Sequence, residues 1–200
     1  MIWPPPDRSL DGSIVRMEPL RPEHFDDLRE AADDERIWAW MDRRIPSESG
    51  SFERWFDGRL GARDMGTDWP WATISAASGR AIGSSSYLAV RPEHDGLEIG
   101  HTWLSPEFWR TGANNEAKLL MLAFAFDDLG CIRVEFKTDS RNERSRAALE
   151  GIGASFEGIF RKHMLTHVEG VRDSAYYSIT DEDWPEVQSN LESRMEVARA

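Results

Sequence analysis

Residues 98–115, EIGHTWLSPEFWRTGANN, run directly into EAKLLMLAFAFDDLG at 116–130, and this junction constrains the fold more than any other stretch. The alternation over 97–104 reads as a strand, 105–112 as a tight loop, and 117–129 as a helix that is apolar nearly all round. A helix with no polar face must lie buried against a sheet. Gly130 then stops it, and CIRVEFKT at 131–138 supplies a second strand. Two strands joined through a helix lie parallel. The loop between the first strand and the helix holds Gly112 and the small Ala113. A helix start exposes unpaired N–H groups and the positive end of the helix dipole, so this loop is a ready anion site.

The remaining segments are consistent with a mixed sheet. A strand is expected over 14–20. Phe25, Leu28 and Ala32 recur at helical spacing behind Pro22, and Phe52, Trp55, Phe56 and Leu60 form a second helical stripe. Pro46 and Gly50 break the chain between the two helices. Strands over 71–76 and 81–90 are separated by Ser78-Gly79, a hairpin signal, and 91–96 reads as a turn. Ser140-Arg-Asn-Glu143 matches a capping box opening a helix over 144–151. A long hairpin is expected over 155–165 and 171–179, turned at Glu169-Gly170. A C-terminal helix follows Thr180, with Val187, Leu191 and Met195 on one face. The organisation expected is a proline-rich arm over 1–12, a single α/β (α+β) domain over 13–184 and a helical extension over 185–200.

Bulk properties exclude several classes. The 200 residues carry 24 Lys+Arg against 36 Asp+Glu, a net charge of −12, which argues against a general nucleic-acid binder and favours cationic partners at long range. The single cysteine, Cys131, opens an apolar run and permits no intramolecular disulfide, as suits a reducing compartment. No leader-like segment opens the chain, and the longest apolar run, 119–126, is too short to span a bilayer. A cytoplasmic location is the expectation. No Walker loop, nucleophile elbow or metal-ligand spacing is present.

EIGHTWLSPEFWRTGANNEA and NERSRAALEGIGA together resemble the GNAT superfamily of acyl-CoA-dependent N-acyltransferases, most nearly its RimJ/RimL-like branch, over nearly the whole domain. The first resembles the family's phosphate loop and the second its Asn-x-x-Ser pattern with a Gly-Ala corner. The loop departs from the superfamily pattern: Trp109 stands first, as is common in this branch, Arg110 replaces a frequent glycine, and Asn114 ends it. The resemblance implies a mostly antiparallel sheet with a central, splayed parallel pair. It implies acetyl-CoA as co-substrate, with succinyl-CoA or another acyl-CoA open, and a primary amine as acceptor. Backbone amides over Arg110, Thr111, Gly112, Ala113 and Asn114 would hold the pyrophosphate, helped by the charges of Arg110 and Lys118. Backbone around Trp103, Leu104 and Ser105 would pair with pantetheine. Asn142 is either a pantetheine partner or a helix cap. The cluster of Arg141, Arg144 and Arg146 either meets the nucleotide or forms a solvated helix face.

The resemblance also implies direct attack of a neutral amine on the thioester. Ser145 matches the branch's serine near the sulfur and would donate to the departing thiolate. Glu98 is the first choice of base, with a structural carboxylate as the alternative. His101, three residues on, faces the other side of a regular strand unless a bulge intervenes. His163 is a weaker candidate. An α-amine of pKa ~8 is roughly one-tenth neutral at pH 7, whereas a lysine amine at ~10.4 costs about 4.6 kcal/mol to deprotonate, so a low-pKa amine suits a site with no obvious strong base. The five tryptophans between 38 and 71 are either an acceptor pocket or core. A homodimer through the late hairpin or the last helix is an expectation. Two other classes stay open: a non-catalytic CoA-binding module, and a small-amine detoxifying transferase.

Overall fold

In the computed structural model, which describes residues 1–41, 49–166 and 170–199, eight strands form one sheet in the order β1-β2-β3-β4-β5-β6-β8-β7. The strands are β1 (Leu10–Asp11), β2 (Val15–Pro19), β3 (Trp69–Ser75), β4 (Ala81–Arg91), β5 (Gly96–Leu104), β6 (Arg133–Asp139), β7 (Ser155–Thr166) and β8 (Gly170–Thr180). The helices are α1 (Phe25–Ala31), α2 (Glu35–Trp38), α3 (Ser51–Asp64), α4 (Ala113–Ala123), α5 (Glu143–Gly151) and α6 (Trp184–Arg199). Pro46 and Glu169, expected in a break and a turn, lie outside the described residues.

Each neighbouring pair is antiparallel except β5–β6, which is parallel and joined through α4 as the sequence implied. Its pairing is brief: Gly96, Leu97 and Glu98 face Arg133, Val134 and Glu135, and no β5–β6 pair follows. Beyond Glu98, β5 stays on β4 while β6 stays on β8 to Asp139. The two strands therefore splay and open a cleft in the middle of the sheet.

Two apolar layers sandwich the sheet. On one face α4 and α6 pack through Met121, Leu122, Val187 and Leu191 against Leu97, Ile99, Val134 and Phe136. On the other, α1 and α3 pack through Leu28, Phe52, Trp55 and Phe56 against Ala72, Ile74 and Trp103. The N-terminal arm is tied down: the Ile2 N–H donates to the Leu129 carbonyl, and Leu10 sits in the core as part of β1, a strand the sequence reading did not contain.

Three differences from the sequence expectation bear on the site. The helix expected from 117 begins at Ala113, because Gly112 (φ 91°) makes the left-handed turn and the polar Asn114, Asn115 and Glu116 form its first turn. From Phe124 to Asp128 it widens into a π-helical turn before Gly130 (φ 74°) ends it. The capping box at Ser140 does not form. Asn142 is the cap of α5, its side-chain oxygen accepting from the Ser145 N–H at 3.1 Å, while the Ser140 N–H donates to the Asp173 carbonyl.

Candidate active site

The cleft between β5 and β6 meets the N-terminus of α4, and the loop from β5 into α4 has a backbone that could hold an anion. Arg110 (φ 64°) and Gly112 (φ 91°) are both left-handed, which curls the loop backbone around a concavity. Gly112 needs its freedom twice over: a Cβ there would also come within 3.1 Å of Ile14 Cδ1. Gly112, the cap of α4, has no side chain to offer; the Ala113 N–H reaches the Thr111 hydroxyl at 3.4 Å, and the other N–H groups of the first turn have no acceptor within the helix. Thr111 braces the loop by donating its hydroxyl to the Phe108 carbonyl at 2.8 Å. Ala113 is fully buried, whereas Arg110 and Thr111 are exposed.

A buried carboxylate holds this corner in place. Glu116 accepts from the Ser13 N–H (2.9 Å), the Ser13 hydroxyl (2.8 Å), and the Ile14 and Val15 N–H groups (both 2.6 Å). Burial pushes its pKa up, but the backbone donors of Val15, Ser13 and Ile14 outweigh that, and the net shift is downward. Gly12 leaves the room, since a Cβ there would lie 2.6 Å from the carboxylate. This strap is invisible in the sequence, because its two halves lie about a hundred residues apart.

Trp109 connects the loop to the cleft. Its indole N–H donates to the Leu104 carbonyl at 2.9 Å, so that carbonyl, one of the expected pantetheine contacts, is already engaged. The Ser105 N–H is turned to the Ile82 carbonyl of β4. The Trp103 side chain is buried among Trp38 and Trp55, with ring centroids 5.4 and 5.6 Å away. The guanidinium of Arg144 lies 4.2 Å from the centre of the Trp109 ring, and burial lowers its pKa.

The three arginines expected as one cluster go to three places. Arg144 stands over Trp109 at the start of the Arg110–Gly112 loop. Arg141 pairs with Asp139 at 2.9 Å and lies over the Trp40 ring. Arg146 donates to the Tyr177 hydroxyl (3.0 Å) and the Ser140 carbonyl (3.2 Å), facing β8. Lys118, expected to add charge to the loop, is instead turned into the sheet and 5% exposed. Asn142 is buried and uses its side-chain oxygen as the cap; Ser145, half-buried in the first turn of α5, follows it.

The remaining candidates lie on the sheet face opposite α4. The register between β4 and β5 slips between Ser84 and Ser86, and His101 adopts φ 49° there. The extra residue is a bulge, and it reverses the alternation of β5. Leu97 and Ile99 belong to the α4 layer before it and Leu104 after it, while Trp103 joins the α1–α3 layer. Glu98 and His101 consequently share a face, the exception that a regular strand forbids. They do not touch. His101 Nδ1 is 2.8 Å from Arg59 Nη1 of α3. Glu98 is 4% exposed and accepts from Lys137 Nζ at 3.1 Å. Burial raises its pKa against the pull of Lys137.

Behind Glu98 runs a polar line that sequence reasoning missed apart from His163. Lys137 Nζ lies 6.0 Å from the Tyr176 ring centre. The Tyr176 hydroxyl is 3.2 Å from His163 Nε2, and His163 Nδ1 is 3.0 Å from Ser174 Oγ. Burial, Lys137 and Arg172 lower the His163 pKa, favouring the neutral ring. Strand pairing between β6 and β8, Lys137 opposite Tyr176, assembles this line. Four of the five tryptophans expected as pocket or core, Trp38, Trp55, Trp69 and Trp71, are buried in the core, while Trp40 is half-buried under the Arg141 guanidinium. Among the described residues no group of histidine, cysteine or carboxylates is placed to hold a metal, and no helix is long and apolar enough to cross a membrane.

Comparison with known proteins agrees with this geometry. A family model described as an acetyltransferase (GNAT) domain matches residues 15–155. A solved GCN5-related N-acetyltransferase from Brucella melitensis superposes with a TM-score of 0.88 at 32% identity, covering 94% of this chain and 86% of that one. The ribosomal-protein-S5-alanine acetyltransferase of Vibrio fischeri shares the fold (TM-score 0.73, 17% identity, 89% of this chain and 99% of that one). A curated relative, the FsC-acetyl coenzyme A-N(2)-transacetylase of Aspergillus fumigatus, is 34% identical over 86 residues, 42% of this chain and 37% of that protein's length, so the match spans little more than a third of it. With a splayed parallel pair, a helix start beside it and a family model spanning most of the domain, the chain belongs to the GNAT acetyltransferase family.

Proposed function

We propose that the protein transfers an acyl group, acetyl in the first instance, from acyl-CoA to the nitrogen of a low-pKa primary amine. The observation that carries this reading is the cleft opened where β5–β6 pairing stops at Glu98, with the left-handed Arg110–Gly112 loop and the start of α4 at its mouth. An extended pantetheine arm fits the unpaired strand edges as a short pseudo-strand. A pyrophosphate fits the N–H groups of Arg110–Asn114, with the Arg144 guanidinium nearby.

In the reaction, the amine nitrogen attacks the thioester carbonyl carbon, the C–S bond breaks, and the products are an amide and the CoA thiol. The attacking nitrogen loses one proton and the thiolate gains one. Glu98 is the proposed proton acceptor, acting through water. Its raised pKa brings a carboxylate closer to that of the amine it must deprotonate. Ser145 is the proposed donor to the sulfur: its N–H is held by Asn142, which fixes the first turn of α5. Two of the proteins compared bear names with different acceptors, the alanine of ribosomal protein S5 in one and FsC in the other. The choice of a low-pKa amine therefore rests on the cost of deprotonation and on the net charge of −12, which draws cations.

The test is thiol release from acetyl-CoA and succinyl-CoA across N-terminal peptides, polyamines and aminoglycosides. Amine-dependent release with at least one acceptor is expected. Binding of acyl-CoA without release for any amine would favour a non-catalytic CoA-binding module, and no binding would defeat both readings.

A further inference from the structure

Lys118 is a buried lysine that the proposed reaction does not use. It projects from the second turn of α4 into the sheet at the bulge, and donates to Thr102 Oγ1 at 2.7 Å and Ser85 Oγ at 3.3 Å. The two hydroxyls are themselves 2.7 Å apart. The groups facing it are these hydroxyls, one from β4 and one from β5. On its own helix Glu116 is turned away to Ser13–Val15, the Tyr87 hydroxyl of β4 donates to the Met121 carbonyl, and His101 of β5 meets Arg59. Burial alone lowers the Lys118 pKa to about 7.

The hydrogens of this triad can be counted. Ser85 is 2% exposed and must place its proton inside, on Thr102. Thr102 then accepts from both Ser85 and the Lys118 ammonium, which fills its two lone pairs. Its own proton has nowhere to go but outward. Thr102 is exposed, and it lies on β5 beyond Glu98, in the unpaired stretch that walls the cleft. When Lys118 loses its proton, its lone pair becomes an acceptor and draws the Thr102 hydrogen inward.

We propose that the Thr102 hydroxyl is a hydrogen-bond donor on the cleft wall for a carbonyl oxygen of the acyl-pantetheine arm, held in donor orientation by protonated Lys118. Thr102 is a binding residue in this scheme and Lys118 a positioning residue. The inference rests on the acyl-CoA reading above and adds to it a pH-dependent contact.

Calorimetric titration of acetyl-CoA between pH 6 and 8.5 tests it, using the wild type, Thr102→Val, Thr102→Ser and Lys118→Met. Each variant is first checked for a cooperative thermal transition. Thr102→Val is isosteric and is expected to weaken binding about 3- to 10-fold at pH 6, the scale of one neutral hydrogen bond. Thr102→Ser keeps the hydroxyl and is expected to restore it. Relative to Lys118→Met, which cannot titrate, the wild type is expected to lose affinity as pH rises through about 7. Wild-type affinity in Thr102→Val, or an identical pH trend in the wild type and Lys118→Met, overturns the inference while leaving the acyl-CoA reading intact. If Lys118→Met does not fold, an equal pH trend in the wild type and Thr102→Val overturns it. A wild type that binds no acetyl-CoA at any pH overturns both.

Discussion

Glu116→Gln isolates the strap that holds the start of α4 beside the Arg110–Gly112 loop. In the wild type one carboxylate takes four donors, two on each oxygen. The amide of glutamine settles with its oxygen toward the Ile14 and Val15 N–H groups and its NH2 toward Ser13. The Ser13 hydroxyl can rotate to accept from the NH2, but the Ser13 N–H cannot, and it is left facing another donor. A buried donor without a partner costs about 1–3 kcal/mol, and the retained bonds lose their charge assistance, roughly half their strength. The sum is about 3 kcal/mol, or ~6–12 °C in Tm for a chain of this size. Urea denaturation gives the magnitude directly. The pH dependence supplies the sign: the folded pKa of Glu116 is depressed, so its contribution is present above the ordinary carboxylate range and is lost as pH falls through the lowered value. The gap between wild type and variant should narrow on acidification. Because Ile14 packs under Gly112, acetyl-CoA affinity should fall as well. A variant within about 0.5 kcal/mol of wild type at pH 7, the scatter of an ordinary surface change, would refute the strap.

Other consequences follow from the same contacts. Gly83→Ala would place a Cβ 2.2 Å from the Trp103 carbonyl oxygen and 2.9 Å from Leu104 Cα; since backbone must move, a loss of about 3 kcal/mol is expected, and an unchanged denaturation midpoint would contradict it. Glu98→Gln should lower kcat by about 10²-fold or more and abolish the acidic limb of the pH–rate profile, because wild-type activity rises as the raised Glu98 pKa is passed; an unchanged limb would assign the base elsewhere, with His163 next to be tested. Between about 7 and the ordinary lysine value the unfolded chain holds a proton that Lys118 in the fold does not, so stability climbs with pH across that window by up to ~1.4 kcal/mol per unit. Lys118→Met should flatten that slope in urea titrations, and an equal slope in both proteins would remove the titration from Lys118.

Much of the fold was legible because its strongest signals are local. Gly112 and Gly130 mark the ends of the α4 segment through backbone freedom alone, and both adopt positive φ. The parallel pair follows from strand–helix–strand order. What stayed hidden depends on register or on distance. An inserted residue at His101 leaves no mark on a hydrophobic pattern, yet it decides that Glu98 and His101 share a face. Glu116 reads as an ordinary helix charge until the chain brings Ser13 to it. Ser140 and Asn142 are both capping residues spaced for a helix start, and only the Asn142 side chain meets the free N–H of Ser145. Lys118 had one readable signal, a lone cation in a helix otherwise apolar nearly all round, and the structure puts it in the core. The arginine cluster was dense in sequence, but Arg141 precedes the cap of α5 and Arg144 and Arg146 lie two residues apart on the helix, so the three point in different directions.

In the proposed complex acyl-CoA seats its pyrophosphate at the Gly112 loop. Calorimetric titration of acetyl-CoA into the wild type and Gly112→Val tests it most directly, since valine at φ 91° is strained and its Cβ would press on Ile14. Saturable one-site binding by the wild type is expected, with a loss of at least tenfold in a variant that still unfolds cooperatively. Equal affinity in the two proteins would contradict it.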